Sequence, residues 1–390
     1  MANNKKYWSG LDELDGTEAF KEIQAKEFQE QIPVDQFLAD ERHSSTTTGR
    51  RDFLKFMGFS LTAATLAACE TPVIKSIPYT NKPAEITPGV ANYYASTYYD
   101  GMDYSNVLVK TREGRPIFIK GNSATGIGAG KVNSRVIGSV MSLYDKARLD
   151  GPTQNGNSTT WEDLDKAMSA SVSGAGRTVV LSNTIVSPST VKAIKAFGAE
   201  HVQYDAISYS ALRMAQSAAF GVNAVPSYDF SKAEVIVSIA ADFLNSWLSS
   251  TLYAPDYALL RGPERGKQSK HFQFESAMSM TGTNADVRTM IKPSEEGKVA
   301  AGLLASLKGA TVSNLDAGVV KSINAAVKSL KSSRGKSLVV AGSNDLATQT
   351  IVAAINQQLG NYGSTIDLER PSMAYRGDDA AVSNLVKDMN

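Results

Sequence analysis

From Arg177 onward the chain alternates short apolar segments with longer amphipathic ones, and this alternation limits the folds open to it. The strand-like segments cover residues 178–183, 201–204, 234–239, 271–274 and 337–341. The helix-like segments cover residues 187–198, 208–220, 295–307 and 345–359. Strands that alternate with helices pair in parallel and bury both faces beneath those helices. The sequence therefore predicts an α/β domain over residues 177–390, with parallel sheets covered by helices.

Residues 91–176 form a smaller portion with a different pattern. Residues 107–110 and 116–120 are rich in β-branched and aromatic side chains and flank Glu113-Gly114, which predicts a β-hairpin. Residues 70–90 carry four prolines, a density that favours extended backbone and predicts a tether. We expect a β-rich N-terminal portion that precedes the α/β domain.

Residues 50–69 have the order of an export signal. The pattern consists of Arg50, Arg51, Phe53, Leu54 and Lys55, an uncharged run over residues 56–68, and Cys69. An Arg-Arg pair alone is common, but this full order is typical of a twin-arginine signal that ends at a lipoprotein cleavage site. The run of 13 residues is shorter than the roughly 20 that a membrane-spanning helix needs. The segment therefore predicts export by the twin-arginine route and a lipid on Cys69.

The signal is preceded by residues 1–49, which is a long extension for a leader. Thr17 is a suitable cap for a helix whose apolar residues are Phe20, Ile23 and Phe28. A disordered acidic extension is the alternative interpretation, and the sequence leaves both open.

Charge and cysteine content exclude several classes of function. The chain has 40 basic and 39 acidic residues, which is no electrostatic footprint for nucleic acid. One cysteine permits no internal disulfide, no c-type haem attachment and no cysteine-held iron–sulfur cluster. The three histidines, His43, His201 and His271, are far apart in sequence, so a histidine zinc site is not expected.

Two local motifs allow a ligand but do not require one. The run Gly126-Ile127-Gly128-Ala129-Gly130 invites a dinucleotide interpretation, yet Lys131-Val132-Asn133-Ser134 after it is a poor helix start, so a plain loop is favoured. Asp242 follows the strand over residues 234–239, where α/β folds place ligands. A helix cap or a loop hydrogen bond explains Asp242 equally well.

Several segments resemble molybdopterin-dependent oxidoreductases. They are residues 107–110, 113–116, 119–122, 143–152, 161–164, 231–242 and 279–286. Many members of that family carry a cysteine motif before the hairpin, and residues 91–110 here contain no cysteine. Ala240-Ala241-Asp242 also stands where Gly-Ala-Asp is more usual. The resemblance implies a molybdopterin-oxidoreductase-like fold with no catalytic, cofactor-binding or metal-binding residue in this stretch.

The opening Tyr7-Trp8-Ser9-Gly10-Leu11-Asp12-Glu13-Leu14 and the delayed signal narrow the resemblance. Together they are similar to the iron–sulfur subunits of alternative complex III, a respiratory quinol:electron-acceptor oxidoreductase. That resemblance implies iron–sulfur clusters beyond residue 390 and a location on the periplasmic face of the bacterial inner membrane. It also implies that the chain is an N-terminal portion, incomplete at its C-terminus. The implied partners are polytopic quinol-binding subunits, c-type cytochromes and, as a further candidate, a terminal oxidase.

Two other functions stay open at this point. One is a catalytic molybdopterin oxidoreductase of the polysulfide or thiosulfate reductase type. The other is a lipid-anchored solute-binding protein. Metal content separates these two functions from the respiratory subunit. Iron without molybdenum indicates the respiratory subunit, both metals indicate the catalytic enzyme, and neither metal indicates the solute-binding protein.

Overall fold

The computed structural model describes residues 17, 18, 21, 84, 86–125, 130–174, 176–262 and 268–389. The chain divides into two compact units, Met1–Ala91 and Asn92–Asn390, and the sheets of the described residues all lie in the second. In the part of the chain that is described, no helix is both long and apolar enough to cross a membrane.

The strands are β1 (Asn92–Tyr99), β2 (Tyr104–Arg112), β3 (Arg115–Gly121), β4 (Thr153–Gln154), β5 (Asn157–Ser158), β6 (Val179–Ser182), β7 (Glu200–Gln203), β8 (Val225–Tyr228), β9 (Val235–Ile239), β10 (Lys270–Glu275), β11 (Val287–Met290), β12 (Ser337–Ala341) and β13 (Ile366–Ser372). The α-helices are α1 (Ser134–Gly138), α2 (Trp161–Ser173), α3 (Pro188–Phe197), α4 (Ser210–Phe220), α5 (Ser250–Leu259), α6 (Met280–Thr283), α7 (Glu296–Leu307), α8 (Ala317–Ser332), α9 (Leu346–Leu359) and α10 (Asp379–Met389). Short 3₁₀ turns cover Ser139–Tyr144, Phe230–Lys232 and Pro293–Glu295.

The predicted hairpin is confirmed as part of an antiparallel sheet of order β1-β2-β3. Glu113 and Gly114 connect β2 to β3 with φ values of 51° and 76°, the left-handed pair of a type I′ turn. One face of this sheet packs its apolar side chains against α1 and the turn that follows it, and the buried side chains are Val107, Ile119, Val136 and Val140.

The α/β domain is built on a parallel sheet of order β11-β10-β9-β12. Every residue of β9 and β12 is buried, because helices or loops cover both faces. Val237 and Val339 face a core that includes α7, α8 and α9, whereas Ile236 and Leu338 face an aromatic layer around α5. The predicted parallel sheet covered on both faces is therefore confirmed.

The strands do not all join one sheet. β6 and β7 pair with each other in parallel, and β8 pairs with β13 in an antiparallel sheet. The first of these pairs follows the predicted strand–helix–strand order. Ser187 caps α3 through the Thr190 amide, Pro188 is the first helical residue, and Gly198 ends the helix at a φ of 77°. The second pair was not predicted, because β13 carries charged residues and Pro371.

Asp256 lies half-buried on α5 and makes the free energy of unfolding depend on pH. Burial, and then the negative charge of Asp229, raise its pKa from 3.8 to about 6. A raised folded-state pKa favours the protonated carboxyl, so the stability that this group contributes is complete below pH 3.8 and is lost as the pH rises through about 6.

Asp256→Asn is expected to raise the free energy of unfolding at pH 7.5 by about 1 kcal/mol, after allowance for solvent screening. At pH 4 the substitution is expected to change little, since asparagine resembles the protonated acid. Denaturant titrations at the two pH values measure the difference. Asp165→Asn, at an exposed position of α2, is the control and should stay within about 0.5 kcal/mol at both. A gain at pH 4 equal to that at pH 7.5 would contradict the assignment.

Candidate functional site

The carboxyl ends of β9, β10 and β12 meet at one edge of the parallel sheet, the position where α/β folds place ligands. The loops that leave these strands begin at Ala240, Ser276 and Gly342. We call these loops and their side chains the strand-end region.

Asp242 is used inside the strand-end region to hold two loops together. Its Oδ1 accepts hydrogen bonds from the Thr281 amide at 3.0 Å and from the Thr281 hydroxyl at 2.7 Å. The same hydroxyl accepts a bond from the Leu244 amide at 3.0 Å. The sequence left a ligand position, a helix cap and a loop hydrogen bond open for Asp242, and the structure shows hydrogen bonds between loops.

The loops after β9 and β12 lie in direct backbone contact. Ala240 has a left-handed φ of 51°, a conformation that glycine adopts without strain and alanine does not. A Cβ on Gly342 would overlap the Ala240 carbonyl group, so the two chains are too close for any side chain there. This contact closes the space between the ends of the two strands.

A buried hydrogen-bonded chain follows one face of β10 toward the strand-end region. Gln273 Oε1 lies 3.2 Å from His271 Nε2, and Gln273 Nε2 donates to Glu275 Oε2 at 3.0 Å. Glu275 also accepts from the Ser279 hydroxyl and from Arg288 Nε, each at 2.6 Å. Only 3% of the Glu275 side chain is exposed, so its charge is compensated inside the protein.

The pKa values of His271 and Glu275 follow from burial and from these hydrogen-bond partners. Burial lowers the pKa of His271 to about 4, against a smaller raising effect of its bond to Gln273. A lowered histidine pKa means that its stabilising contribution is complete above pH 6.5 and is lost as the pH falls toward 4. Burial alone would raise the pKa of Glu275, but hydrogen bonds from Ser279 and Arg288 outweigh it and hold the pKa below its ordinary value.

A separate cleft of about 300 Å³ lies at the carboxyl ends of β6 and β7. Its lining residues are Asp100, Gly101, Met102, Asn183, Asp205, Ala206, Ile207, Tyr209, Ser246 and Tyr375. The rings of Tyr209 and Tyr375 meet edge to face with their centroids 4.8 Å apart. The cleft thus combines an aromatic wall with two carboxylates.

Both carboxylates of the cleft already accept hydrogen bonds from the protein. Asp205 accepts from the amide and hydroxyl of Thr184 and from the Gly377 amide, at 2.7 to 2.8 Å. Asp100 accepts from the amides of Met102 and Asp103 and from the Tyr98 hydroxyl. These bonds fix the loops around the cleft, whose other polar side chains are Asn183, Ser246 and the two tyrosines.

The residues that the sequence singled out are distributed unevenly over the structure. Arg50, Arg51, Phe53, Leu54, Lys55 and Cys69 lie outside the described residues, as do His43 and residues 126–129. Gly130 packs against the end of β3, where a Cβ on Gly121 would overlap its carbonyl group. His201 bonds through Nε2 to the Ser182 hydroxyl on the neighbouring strand at 2.8 Å. Because the residues of the export signal and Cys69 lie outside the described part, export and lipidation stay predictions.

The sequence analysis did not predict the buried hydrogen-bonded chain of side chains on β10. Its signal was present, because His271, Gln273 and Glu275 alternate with Phe272 and Phe274 in a strand. Such alternation usually marks a face in water, whereas here both faces are buried. Among the described residues, no group of three or more His, Cys, Asp or Glu side chains is arranged to hold a metal ion.

No protein-family model and no curated protein matches the chain. Among solved structures it is similar to the formyltransferase/hydrolase complex from Methylorubrum extorquens in complex with methylofuran. That alignment has 16% identity and a TM-score of 0.39, and it covers 54% of this chain and 57% of that one. The chain is also similar to acetylene hydratase from Pelobacter acetylenicus, with 10% identity, a TM-score of 0.44, and 70% and 42% covered. The chain thus spans about half the length of these structures.

Proposed function

We propose that this chain is a molybdopterin-oxidoreductase-like domain without pterin chemistry, and that it belongs to the iron–sulfur subunit of alternative complex III. In this role it is a docking scaffold on the periplasmic face of the inner membrane. It holds quinol-binding membrane subunits and c-type cytochromes around clusters that lie beyond residue 390. The chain itself carries no catalytic residue in this proposal.

The observation that carries the proposal is that the loops and polar groups of the strand-end region contact one another. A pterin cofactor brings a phosphate, which needs free donors and space for close backbone approach. The Thr281 amide already donates to Asp242, and the loops at Ala240 and Gly342 touch each other. Oδ1 of Asp242 accepts the hydrogen bonds of the Thr281 amide and hydroxyl, so both donors are already engaged and are not free for a phosphate. These residues do not fit the group, in agreement with a scaffold role.

The sequence supplies the other supports. The twin-arginine pattern and Cys69 favour an exported, membrane-tethered protein, and the segment over residues 7–14 favours this particular subunit family. A scaffold for several partners is expected to make interfaces above roughly 1,000 Å² with each of them.

Metal analysis of the complex, purified natively from membranes in mild detergent, tests this function. We expect iron without molybdenum or tungsten, together with polytopic membrane proteins and c-type cytochromes. Stoichiometric molybdenum would overturn the proposal in favour of a catalytic molybdopterin oxidoreductase. A metal-free monomer would also overturn it.

The cleft of about 300 Å³ favours a second candidate, a lipid-anchored solute-binding protein. Its tyrosine wall and carboxylates suit a small cationic or aromatic solute. A solute that co-purifies with an isolated monomer would support this candidate. The retained solute would be identified by mass spectrometry after denaturation.

A further inference from the structure

The β1–β3 sheet covers the small core with one face, and its other face is partly exposed, with Leu108 and Lys110 half-buried there. Strand register defines this outer face. Tyr93 pairs with Lys110, which pairs with Phe118, and the next row joins Ala95, Leu108 and Lys120. We call these six residues the outer face of the β1–β3 sheet.

Two aromatic side chains on this face are exposed to solvent, although burial of their apolar surface would be favourable. Tyr93 is 53% exposed and Phe118 is 43% exposed. They lie on either side of Lys110 in one cross-strand row. Rings of this kind, with an adjacent cation, are typical of side chains at a membrane–water interface.

Charge on the same face has one sign. The outer face carries Lys110 and Lys120 and no carboxylate, and neither lysine forms an ion pair in the described part of the chain. Residues 110–120 contain four basic side chains and one acidic one, Glu113, which lies in the turn. A surface with aromatic rings and unpaired lysines is complementary to an anionic surface that has an apolar layer beneath it.

We propose that the outer face of the β1–β3 sheet rests on the headgroup layer of an anionic lipid membrane. Tyr93, Leu108 and Phe118 contact the boundary between headgroups and acyl chains, while Lys110 and Lys120 pair with lipid phosphates. The inference deepens the proposed function and rests on it for the membrane location. Cys69 precedes Asn92 by 23 residues, which span at most about 75 Å, so a lipid on Cys69 would hold the sheet within that distance of the bilayer.

Vesicle sedimentation tests this contact without the anchor. The probe is the 390-residue chain with Cys69→Ser, mixed with vesicles of phosphatidylcholine alone or of phosphatidylcholine and phosphatidylglycerol in equal amounts. We expect tighter binding to the mixed vesicles. Since each lysine near such a surface contributes about five-fold in affinity, Lys110→Gln with Lys120→Gln should weaken that binding by about 30-fold. Tyr93→Ser with Phe118→Ser should weaken binding to both kinds of vesicle.

The matched control is Lys321→Gln with Lys328→Gln, which removes the same charge from exposed positions of α8. It should leave vesicle binding within about two-fold, and melting curves should show that every variant is folded. Equal loss in the control and in the Lys110/Lys120 variant would overturn the inference, as would no preference for phosphatidylglycerol. If partners co-purify but the vesicles do not bind, only this inference fails. If the vesicles bind but partners are absent, only the proposed function fails.

Discussion

Replacing Cys69 by serine is expected to move the protein from the detergent phase to the aqueous phase in a phase-partition assay. The reason is the size of the acyl contribution, about 0.8 kcal/mol for each buried CH₂ group, so that two or more long chains anchor a protein almost irreversibly. Serine at this position provides no thiol for lipid attachment. The contact proposed for the β1–β3 sheet would remain, but it is salt-sensitive and does not survive a high-salt wash.

Export is tested by cell fractionation with the pair Arg50→Lys and Arg51→Lys. This pair keeps the charge of the signal and removes its twin arginine, so we expect uncleaved precursor in the cytoplasm. Intact mass spectrometry of the wild-type protein should show Cys69 as an acylated N-terminus. A free thiol on Cys69, or a mature N-terminus elsewhere, would contradict the lipid anchor, and unchanged export of the double variant would contradict the twin-arginine route.

Glu275→Ala is expected to lower the free energy of unfolding by about 3 kcal/mol, the lower end for a buried ion pair, because Arg288 is 26% exposed and can be solvated. The substitution leaves the Arg288 guanidinium without its carboxylate and the Gln273 amide without its acceptor. It also opens a gap against Gly282, where the carboxylate now packs in the space that a Cβ would occupy. Urea titration at pH 7.5 measures the loss.

Two further variants separate charge from packing at this position. Glu275→Gln keeps the shape and is expected to cost less than alanine, because the amide oxygen can still accept a hydrogen bond. Glu200→Ala removes the carboxylate of an exposed ion pair with Arg177 and should cost no more than about 1 kcal/mol. If Glu275→Ala cost no more than Glu200→Ala, the buried chain on β10 would not stabilise the fold.

Predictions of individual elements were confirmed where the signal was local. The hairpin was predicted from Glu113-Gly114, because glycine readily adopts the left-handed backbone conformation that the turn requires. The start and end of α3 followed from Ser187, Pro188 and Gly198, because capping depends on residues within one helical turn. In both cases the interacting groups are close in sequence.

Assembly of the candidate site depended on contacts that the sequence does not reveal. Asp242 bonds to Thr281, 39 positions away, and the sequence left its role open. Arg288 reaches Glu275 because β10 and β11 pair in parallel register, and nothing in the local pattern identifies that pair. The cleft brings Asp100, Asp205 and Tyr375 together from three distant segments.

By itself the sequence determined the alternation of strands and helices, the β-hairpin and the order of the export pattern, because each is encoded within a few consecutive residues. Tertiary structure alone decided how the strands divide among sheets, as in the antiparallel pairing of Tyr228 with Ile366. It also decided that the polar face of β10 is buried and compensated. The physical reason is that strand pairing and charge compensation depend on which distant surfaces exclude water together, and no short segment carries that information.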